Sequence, residues 1–385
     1  MFFSVIIPTY NSTRLDKLLD SLLNQNIQKD LFEVVIVDDC SPDKTFLSIL
    51  DDYSNKLNIR LIENQTNLKQ GLARQVGIDN AKGDWLTFVD HDDILLPGSL
   101  LQVYNEINLN DCKYMFNTDM VVSNNEDFYK YLEPKNHGVY GIQNSDGCLH
   151  GKFFNRNFLN KNGIRFHNQI FGNEDTYFLT VVFGITTHDM LENPKVNYRV
   201  DMPIITYVWF LWSDSLSHTK FKNMTYLEHT FGDYMQACFD GWLFLQNMYH
   251  DVYLAFGKLL SLIMYGYWLC EGFDYDNYNP YSTHEKHDTS QNFKILRRYQ
   301  EKIFSILKIK DVDHFLKILH FTPNIYGETF NLALEEHGRS IIPQYTIEQR
   351  FRMIEKMPSE LTEKDKEQID NIYFLNLPPE EITEK

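Results

Sequence analysis

Three carboxylates fall within four positions directly after an apolar run: Asp90, Asp92 and Asp93 follow Trp85–Val89. Adjacent carboxylates repel one another and lose solvation when they are partly buried, so such a cluster is costly unless a cation neutralises it. Alternate residues of a strand share a face, so Asp90 and Asp92 can converge on one ligand if the strand continues, whereas a turn here would change this alternation but keep the two acids close. Mg²⁺ commonly binds one or two carboxylates together with the phosphates of its substrate, and Mn²⁺ also suits oxygen ligands. The cluster therefore predicts a Mn²⁺ or Mg²⁺ site that accepts a diphosphate.

A second acidic pair, Asp38 and Asp39, ends the apolar run Phe32–Val37. A carboxylate at such a point can accept a hydrogen bond from a nucleobase N–H or a ribose hydroxyl. The alternative is a helix cap, because the following Ser-Pro-Asp-Lys-Thr is typical of a helix start with proline in its first turn.

The elements that must position these acids alternate regularly through the first third of the chain. Short runs rich in β-branched residues are separated by stretches with leucine at helical spacing, which predicts βαβ units and a mainly parallel central sheet flanked by helices. The acids lie just past the carboxyl ends of the strands, where such sheets bind ligands. Beyond Thr219 the pattern becomes helical and aromatic. We therefore predict an α/β domain over residues 1–220 and a mostly helical domain over 221–385.

Composition limits the partners and the compartment. The net charge of −17 disfavours broad binding to nucleic acid or anionic lipid. Five scattered cysteines without a CxxC pair predict a reducing, cytoplasmic setting. The most apolar stretch, Val252–Cys270, contains Lys258 and is predicted to be a buried helix. We expect at most peripheral contact with the inner face of a membrane.

One segment reverses the acidic balance: Lys294–Lys310 carries six basic residues, with Glu301 the only acid. Its apolar residues recur at helical spacing, so we predict an amphipathic helix with a cationic face. This face is either the solvated side of a packed helix or a surface for an anionic acceptor or a membrane.

Taken together, the motifs resemble the nucleotide-sugar-binding domain of family-2 glycosyltransferases, which has the GT-A fold. The resemblance spans about residues 3–215 and includes the family's usual Asp-x-Asp at Asp90 and Asp92. Cys40 stands where a glycine is usual, and Gln75 where an asparagine is usual. The other matching residues are Pro8, Thr9, Tyr10 and Asn11 after the first strand, Asp38 and Asp39 after the second, and Gly71, Ala73 and Arg74 in the Gly-x-Ala-Arg element.

The resemblance implies an inverting transferase that uses a nucleoside-diphosphate sugar, most commonly a uridine one in this family. Asp92 would bind the metal directly, and Asp90 would contact the ribose or the metal. The residues expected at the nucleotide sugar are Pro8, Thr9, Tyr10, Asp39, Arg74, Asp90 and His91. His218 is either a further metal ligand, a diphosphate contact or a surface residue.

The resemblance also implies a catalytic base within the acidic pair Glu174–Asp175, which begins a predicted helix. An inverting transfer needs a carboxylate opposite the leaving diphosphate to take the proton of the acceptor hydroxyl, and the family pattern assigns this role to Asp175. Without the resemblance, acids in a first helical turn would simply be favourable in the helix macrodipole.

The acceptor is the least determined partner. A surface glycan or another anionic polymer is the main expectation, and a hydroxymethylated nucleobase in DNA is an alternative. Trp212 lies in an aromatic run that either lines the acceptor site or packs in the core. The residues expected at the acceptor are Glu174, Trp212, Arg297 and Arg298.

Other classes of protein fit less well. No G-x-G-x-x-G follows a predicted strand and no phosphate-binding loop motif is present, which argues against a nicotinamide-dependent dehydrogenase or a P-loop enzyme. A metal-dependent nucleotidyltransferase or a non-catalytic nucleotide-sugar-binding module stays open.

Overall fold

The chain divides into two compact units, Met1–Thr219 and Lys220–Lys385. The structure is a computed structural model. It describes residues 1–124, 127–132, 141–144, 148–170, 172–212, 224–249, 290–306, 308–311 and 313–314.

Parallel strands form the first half of the central sheet. They are β1 (Phe3–Thr9), β2 (Phe32–Asp38), β3 (Ile59–Glu63) and β4 (Trp85–Phe88). Their order is β3-β2-β1-β4, and every residue of β1, β2 and β4 is buried, as expected for apolar strands covered on both faces. The register pairs Thr9 with Asp38, so the first two strands end at the same edge of the sheet.

The second half of the sheet is mixed. It contains β5 (Ile94–Leu95), β6 (Met115–Ser123), β7 (Gly141–Asn144), β8 (Lys152–Asn155) and β9 (Arg199–Phe210). The order continues β4-β8-β6-β9-β5, with β7 beside β6. Strand β9 is parallel to β6, whereas the β4–β8, β6–β8, β6–β7 and β5–β9 pairs are antiparallel. The predicted α/β sheet is thus confirmed, with its parallel pairing concentrated in the first four strands.

Helices cover the sheet of the first unit. They are α1 (Leu15–Leu23), α2 (Phe46–Tyr53), α3 (Lys69–Asn80), α4 (Ser99–Asn110), α5 (Arg156–Lys161) and α6 (Glu174–Glu192). Helix α3 approaches the sheet closely because its inner residues are small: a Cβ at Gly77 would lie 2.3 Å from the Ile6 Cγ2 atom. This close approach brings Arg74, on the same helix, to the edge where the acids lie.

The second unit contains two described helices, α7 (Met224–Tyr249) and α8 (Ser290–Ile306). They pack through Tyr299, whose hydroxyl donates to Gln236 Oε1 at 2.6 Å and whose ring lies 5.5 Å from that of Phe239. The helix predicted over Lys294–Lys310 is therefore present as α8 up to Ile306, and Lys308 and Lys310 lie beyond its end. Within it, Arg297 Nε donates to Glu301 Oε1 at 2.6 Å, so one of its cations is paired.

The segment Val252–Cys270, predicted to be a buried helix, lies outside the described residues. Within the described part of the chain, no helix is long and apolar enough to cross a membrane.

Candidate active site

Two buried polar residues, Thr9 and Asp39, lie at the ends of β1 and β2. Thr9 is buried, and its hydroxyl has no hydrogen-bond partner among the described residues. Asp39 Oδ1 accepts from Leu68 N and Oδ2 from Lys69 N, both at 2.8 Å, and Asn64 Nδ2 donates to Oδ1 at 2.9 Å. Asp39 therefore anchors the start of α3, whereas the Thr9 hydroxyl makes no contact of this kind.

Asp38 has a structural role in this turn. It is fully buried, Ser41 N donates to its Oδ1 at 3.2 Å, and Lys44 forms an ion pair with it. Cys40 has a φ of +64°, a left-handed conformation that favours glycine. This backbone angle explains the usual glycine of the family motif at this position.

The three carboxylates after β4 lie in a turn rather than in a strand. Strand β4 ends at Phe88, and Asp93 N donates to Asp90 O at 3.0 Å. The structure thus has the turn that the sequence left open as an alternative to strand alternation, and this turn brings Asp90 and Asp93, three residues apart, together. The metal role of Asp92 stays a prediction.

Burial makes this turn electrostatically costly. It raises the pKa of Asp93 well above the usual value, with the neighbouring Asp92 adding to the effect. It also raises the pKa of Asp92. Asp93 is held in place, because Tyr207 Oη donates to its Oδ2 at 2.6 Å and Phe210 N to its Oδ1 at 2.8 Å. The protein thus fixes acids whose ionised forms would be stabilised by a cation.

Asp90 differs because Arg74 neutralises it. Burial would raise the pKa of Asp90, but the Arg74 guanidinium holds it well below the usual range. Arg74 Nη2 lies 2.7 Å from Asp90 Oδ1, and Arg74 Nη1 lies 2.6 Å from Glu174 Oε1. Gly71 leaves room for this bridge, since a Cβ there would lie 2.9 Å from Glu174 Cγ. Arg74 therefore joins the acidic turn to the start of α6.

The first turn of α6 carries Asp175. Its side chain is partly buried, and its Oδ1 accepts from Thr176 N at 2.8 Å. Burial and the neighbouring Glu174 charge raise the pKa of Asp175 to about 6. A carboxylate with such a pKa is ionised near neutrality and still basic enough to accept a proton.

His150 is the main site residue that sequence reasoning missed. Its Nε2 lies 3.6 Å from Asp90 Oδ2 and 4.0 Å from Asp93 Oδ2. These three ligand atoms lie within 4.8 Å of one another, a grouping that could hold a metal ion. Asp93 and Tyr207 were likewise not assigned roles. The acid cluster itself signalled Asp93, whereas no spacing in the sequence signalled His150 or Tyr207.

The remaining predicted residues have different surroundings. Trp212 Nε1 donates to the main-chain oxygen of Asp92 at 3.0 Å, so this side chain supports the acidic turn. Tyr10 is 45% exposed, and the buried Nδ1 of His91 has no hydrogen-bond partner in the described part of the chain. Glu174 is only 8% exposed and is engaged by Arg74, which leaves little of it for an acceptor.

Two predicted sets of residues do not belong to the described part of the first unit. His218 falls outside the described residues. Arg297 and Arg298 belong to the second unit, on α8.

Comparison with solved structures defines the class of fold. The crystal structure of S. aureus TarS residues 1–349 in complex with UDP aligns with a TM-score of 0.52 at 22% identity, over 80% of this chain and 85% of that chain. The sheet flanked by helices, with an acidic turn after β4, is thus a GT-A fold.

The family follows from sequence comparison. Residues 4–168 match the model of glycosyl transferase family 2. This match lies within the first unit and confirms the resemblance stated above.

Two curated relatives show how far the likeness extends. A poly(ribitol-phosphate) β-N-acetylglucosaminyltransferase, TarS of Staphylococcus aureus, is 47% identical over 97 residues, which is 25% of this chain and 17% of the relative. A poly(ribitol-phosphate) β-glucosyltransferase of Bacillus spizizenii is 42% identical over 108 residues, 27% of this chain and 17% of the relative. The chain thus matches less than a fifth of the length of either relative.

Proposed function

We propose that this chain is an inverting glycosyltransferase that moves a sugar from a UDP-sugar to a hydroxyl of an anionic polymer. One observation carries the proposal: the two ion pairs of Arg74 connect the acidic turn at Asp90 to the helix start that holds Asp175. A carboxylate cluster suited to a metal and a carboxylate suited to proton transfer thus belong to one buried network.

The donor is assigned to the ends of β1 and β2. The unpartnered Thr9 hydroxyl offers a hydrogen bond to the nucleoside, and Asp39 keeps lone pairs for a base N–H beside its contacts to α3. Tyr10, exposed at the end of β1, is free to pack near the base. A TarS structure with the same fold was solved with UDP, which supports uridine as the nucleoside here.

The residues of the acidic turn fit a divalent metal, because they offer several carboxylate oxygens and their burial disfavours bare charge. Asp90 and Asp92 would hold the ion, with His218 as a further expected ligand. When bound, Mn²⁺ or Mg²⁺ would neutralise the charge that develops on the departing diphosphate.

Asp175 performs the proton transfer in this proposal. It takes the proton of the acceptor hydroxyl as that oxygen forms its bond to the anomeric carbon. The bond between the anomeric carbon and the diphosphate oxygen breaks at the same time, on the opposite face of the sugar. Glu174 acts as a positioning residue, because its ion pair with Arg74 fixes the first turn of α6.

Two measurements with a panel of nucleotide sugars test this function: the melting temperature of the protein and the rate of sugar transfer. We expect a UDP-sugar to raise the melting temperature, because ligands that bind only the native state stabilise it, and we expect the rise to be larger with Mn²⁺. Transfer to a polyol-phosphate polymer should stop with EDTA and return when metal is added. Full transfer after complete chelation would contradict the metal role, and the absence of any stabilising nucleotide sugar would contradict the function.

The acceptor is proposed to be anionic because both curated relatives are named for poly(ribitol-phosphate) and α8 carries a cationic face. We expect the double charge reversal Arg297→Glu with Arg298→Glu to lower polymer glycosylation about tenfold, which matches the loss of one or two charge contacts. Hydrolysis of the donor should be unchanged.

The matched control is Glu301→Gln, which removes the ion-pair partner of Arg297 but keeps the cations. Polymer glycosylation should be retained in this variant. An equal loss of hydrolysis and transfer in the charge-reversed protein would mean that α8 serves only the packing of its own unit.

A further inference from the structure

The His150 imidazole faces two carboxylates without a hydrogen bond to either. Its Nε2 lies 3.6 Å from Asp90 Oδ2 and 4.0 Å from Asp93 Oδ2, both beyond hydrogen-bond distance. The side chain is only 12% exposed. The imidazole ring thus lies near both acids but too far away for a hydrogen bond to either.

The groups around this gap are held by other contacts. Asp90 Oδ1 accepts from Arg74 and Gln70, which turns Oδ2 towards His150. Asp93 is fixed by Tyr207 and by a main-chain N–H. The His150 ring lies against two aromatic rings, with centroids 4.6 Å from Tyr207 and 5.2 Å from Trp209. The side chains of Asp90, Asp93 and His150 are therefore held in place by these contacts before any ion binds.

The separations are close to those between ligands of one small cation. Two ligand atoms that each lie about 2.1 Å from an octahedral ion are about 3 Å apart when adjacent and about 4.2 Å apart when opposite. The separations from Nε2 to the two carboxylate oxygens fall between these limits. Small side-chain adjustments would allow all three atoms to bind one ion.

We propose that His150 is a nitrogen ligand of the metal and that it makes the site prefer Mn²⁺ over Mg²⁺. This inference rests on the proposed function, which requires a divalent ion at the acidic turn. Mg²⁺ selects oxygen ligands and keeps several waters, whereas imidazole nitrogen suits first-row transition metals. One imidazole among carboxylates therefore weakens Mg²⁺ more than Mn²⁺. The sequence-based ligand set of Asp90, Asp92 and His218 did not include this nitrogen, and within the described residues it is His150 that lies beside the acids.

The test compares metal binding in the wild type and in His150→Gln, which replaces the nitrogen by an amide oxygen of similar reach without adding charge. The Mn²⁺ affinity is measured from the electron paramagnetic resonance signal of free Mn²⁺, and the Mg²⁺ affinity by competition. We expect the preference for Mn²⁺ over Mg²⁺ to fall at least about tenfold in His150→Gln. His188→Gln, which alters a histidine beside an acid on α6, is the control and should keep the wild-type preference.

A second measurement can overturn the inference with the wild-type protein alone. Pulsed electron paramagnetic resonance of wild-type protein with Mn²⁺ should show coupling to a histidine nitrogen, and this coupling should be lost in His150→Gln. Bound Mn²⁺ without nitrogen coupling would overturn the inference. If metal-dependent transfer persisted in that case, the proposed function would stand. If Mn²⁺ did not bind at all and transfer needed no metal, the metal role in the proposed function would fail as well.

Discussion

Asp175→Asn is expected to remove sugar transfer almost completely while leaving the donor bound. General-base catalysis contributes about 10²–10⁴-fold to a rate, and an amide cannot accept the proton of the acceptor hydroxyl. The loss should therefore fall mainly on kcat. The donor's effect on the melting temperature should be retained, because Asp175 is not among the residues assigned to the nucleotide. If the wild type and Asp175→Asn both bound the donor without turnover, the protein would instead be a nucleotide-sugar-binding module.

The pH dependence follows from the same carboxylate. The pKa of Asp175 is raised to about 6, so the fraction of ionised base falls as the pH falls through that value. The transfer rate of the wild type should decrease about tenfold for each pH unit below it. The residual rate of Asp175→Asn should lack this step. A wild-type rate that stays constant down to about pH 4.5 would exclude Asp175 as the base.

The same substitution should stabilise the fold at neutral pH. Because burial raises the pKa of Asp175 above its ordinary value of 3.8, its contribution to stability is fully present below that value and is lost as the pH rises through about 6. A difference of about two between the folded and the ordinary pKa of Asp175 corresponds to about 3 kcal/mol of folding free energy, which is an upper bound for a partly buried group. The free energy of unfolding of Asp175→Asn should thus exceed that of the wild type at about pH 8 and approach it at about pH 4. Urea unfolding at both pH values measures the difference.

This loss of activity with a gain in stability separates a catalytic role from a structural one. An aspartate kept only as a favourable charge in the first turn of α6 would stabilise the helix by its interaction with the macrodipole. Its replacement by asparagine would then lower stability at neutral pH. The two explanations thus predict opposite signs for one measurement.

The local parts of the site could be predicted from the sequence because they depend on neighbouring residues. Apolar runs that end in acids identified the buried strands β1, β2 and β4, and the acids after them mark the edge at which ligands bind. The start of α6 at Glu174 was likewise predicted from its pattern.

The parts that depend on long-range pairing could not be predicted. His150 reaches the acidic turn because β8, which follows it, inserts antiparallel between β4 and β6. Periodicity identifies a strand but not its neighbours, so nothing in the sequence links His150 to Asp90. The sequence also left open whether the strand continues or turns at Asp90, because only the hydrogen bond from Asp93 N to Asp90 O shows that the strand has ended.

The second large effect is expected at Arg74, whose two partners are separated from it by 16 and 100 residues in the sequence. Its side chain is 5% exposed, and it pairs with Asp90 and Glu174. Arg74→Met would leave both carboxylates buried without their cation, and breaking a buried pair in this way costs about 3–5 kcal/mol. Chemical unfolding should show this loss. Transfer should also fall, because the start of α6 would no longer be fixed against the acidic turn.

Two further variants separate the charge of Arg74 from its geometry. Arg74→Lys keeps the positive charge but lacks the planar fork that binds two carboxylates, so it should recover only part of the stability. Gly71→Ala keeps every charge but places a Cβ 2.9 Å from Glu174 Cγ, so it should reduce transfer by displacing Glu174. Its nucleotide binding should be affected less, because Thr9 and Asp39 are unchanged.

A double-mutant cycle tests whether Arg74 and Glu174 act as one unit. Glu174→Gln removes one of the two carboxylates that Arg74 neutralises, so Arg74→Met should cost less in that background than in the wild type. Residues in one ion-pair network show interaction energies of about 0.5–3 kcal/mol, whereas independent sites give additive effects. Additive stabilities would mean that the bridge is not coupled, and the link between the acidic turn and Asp175 would then lose its physical basis. Coupling in stability together with coupling in transfer would show that the bridge positions the base.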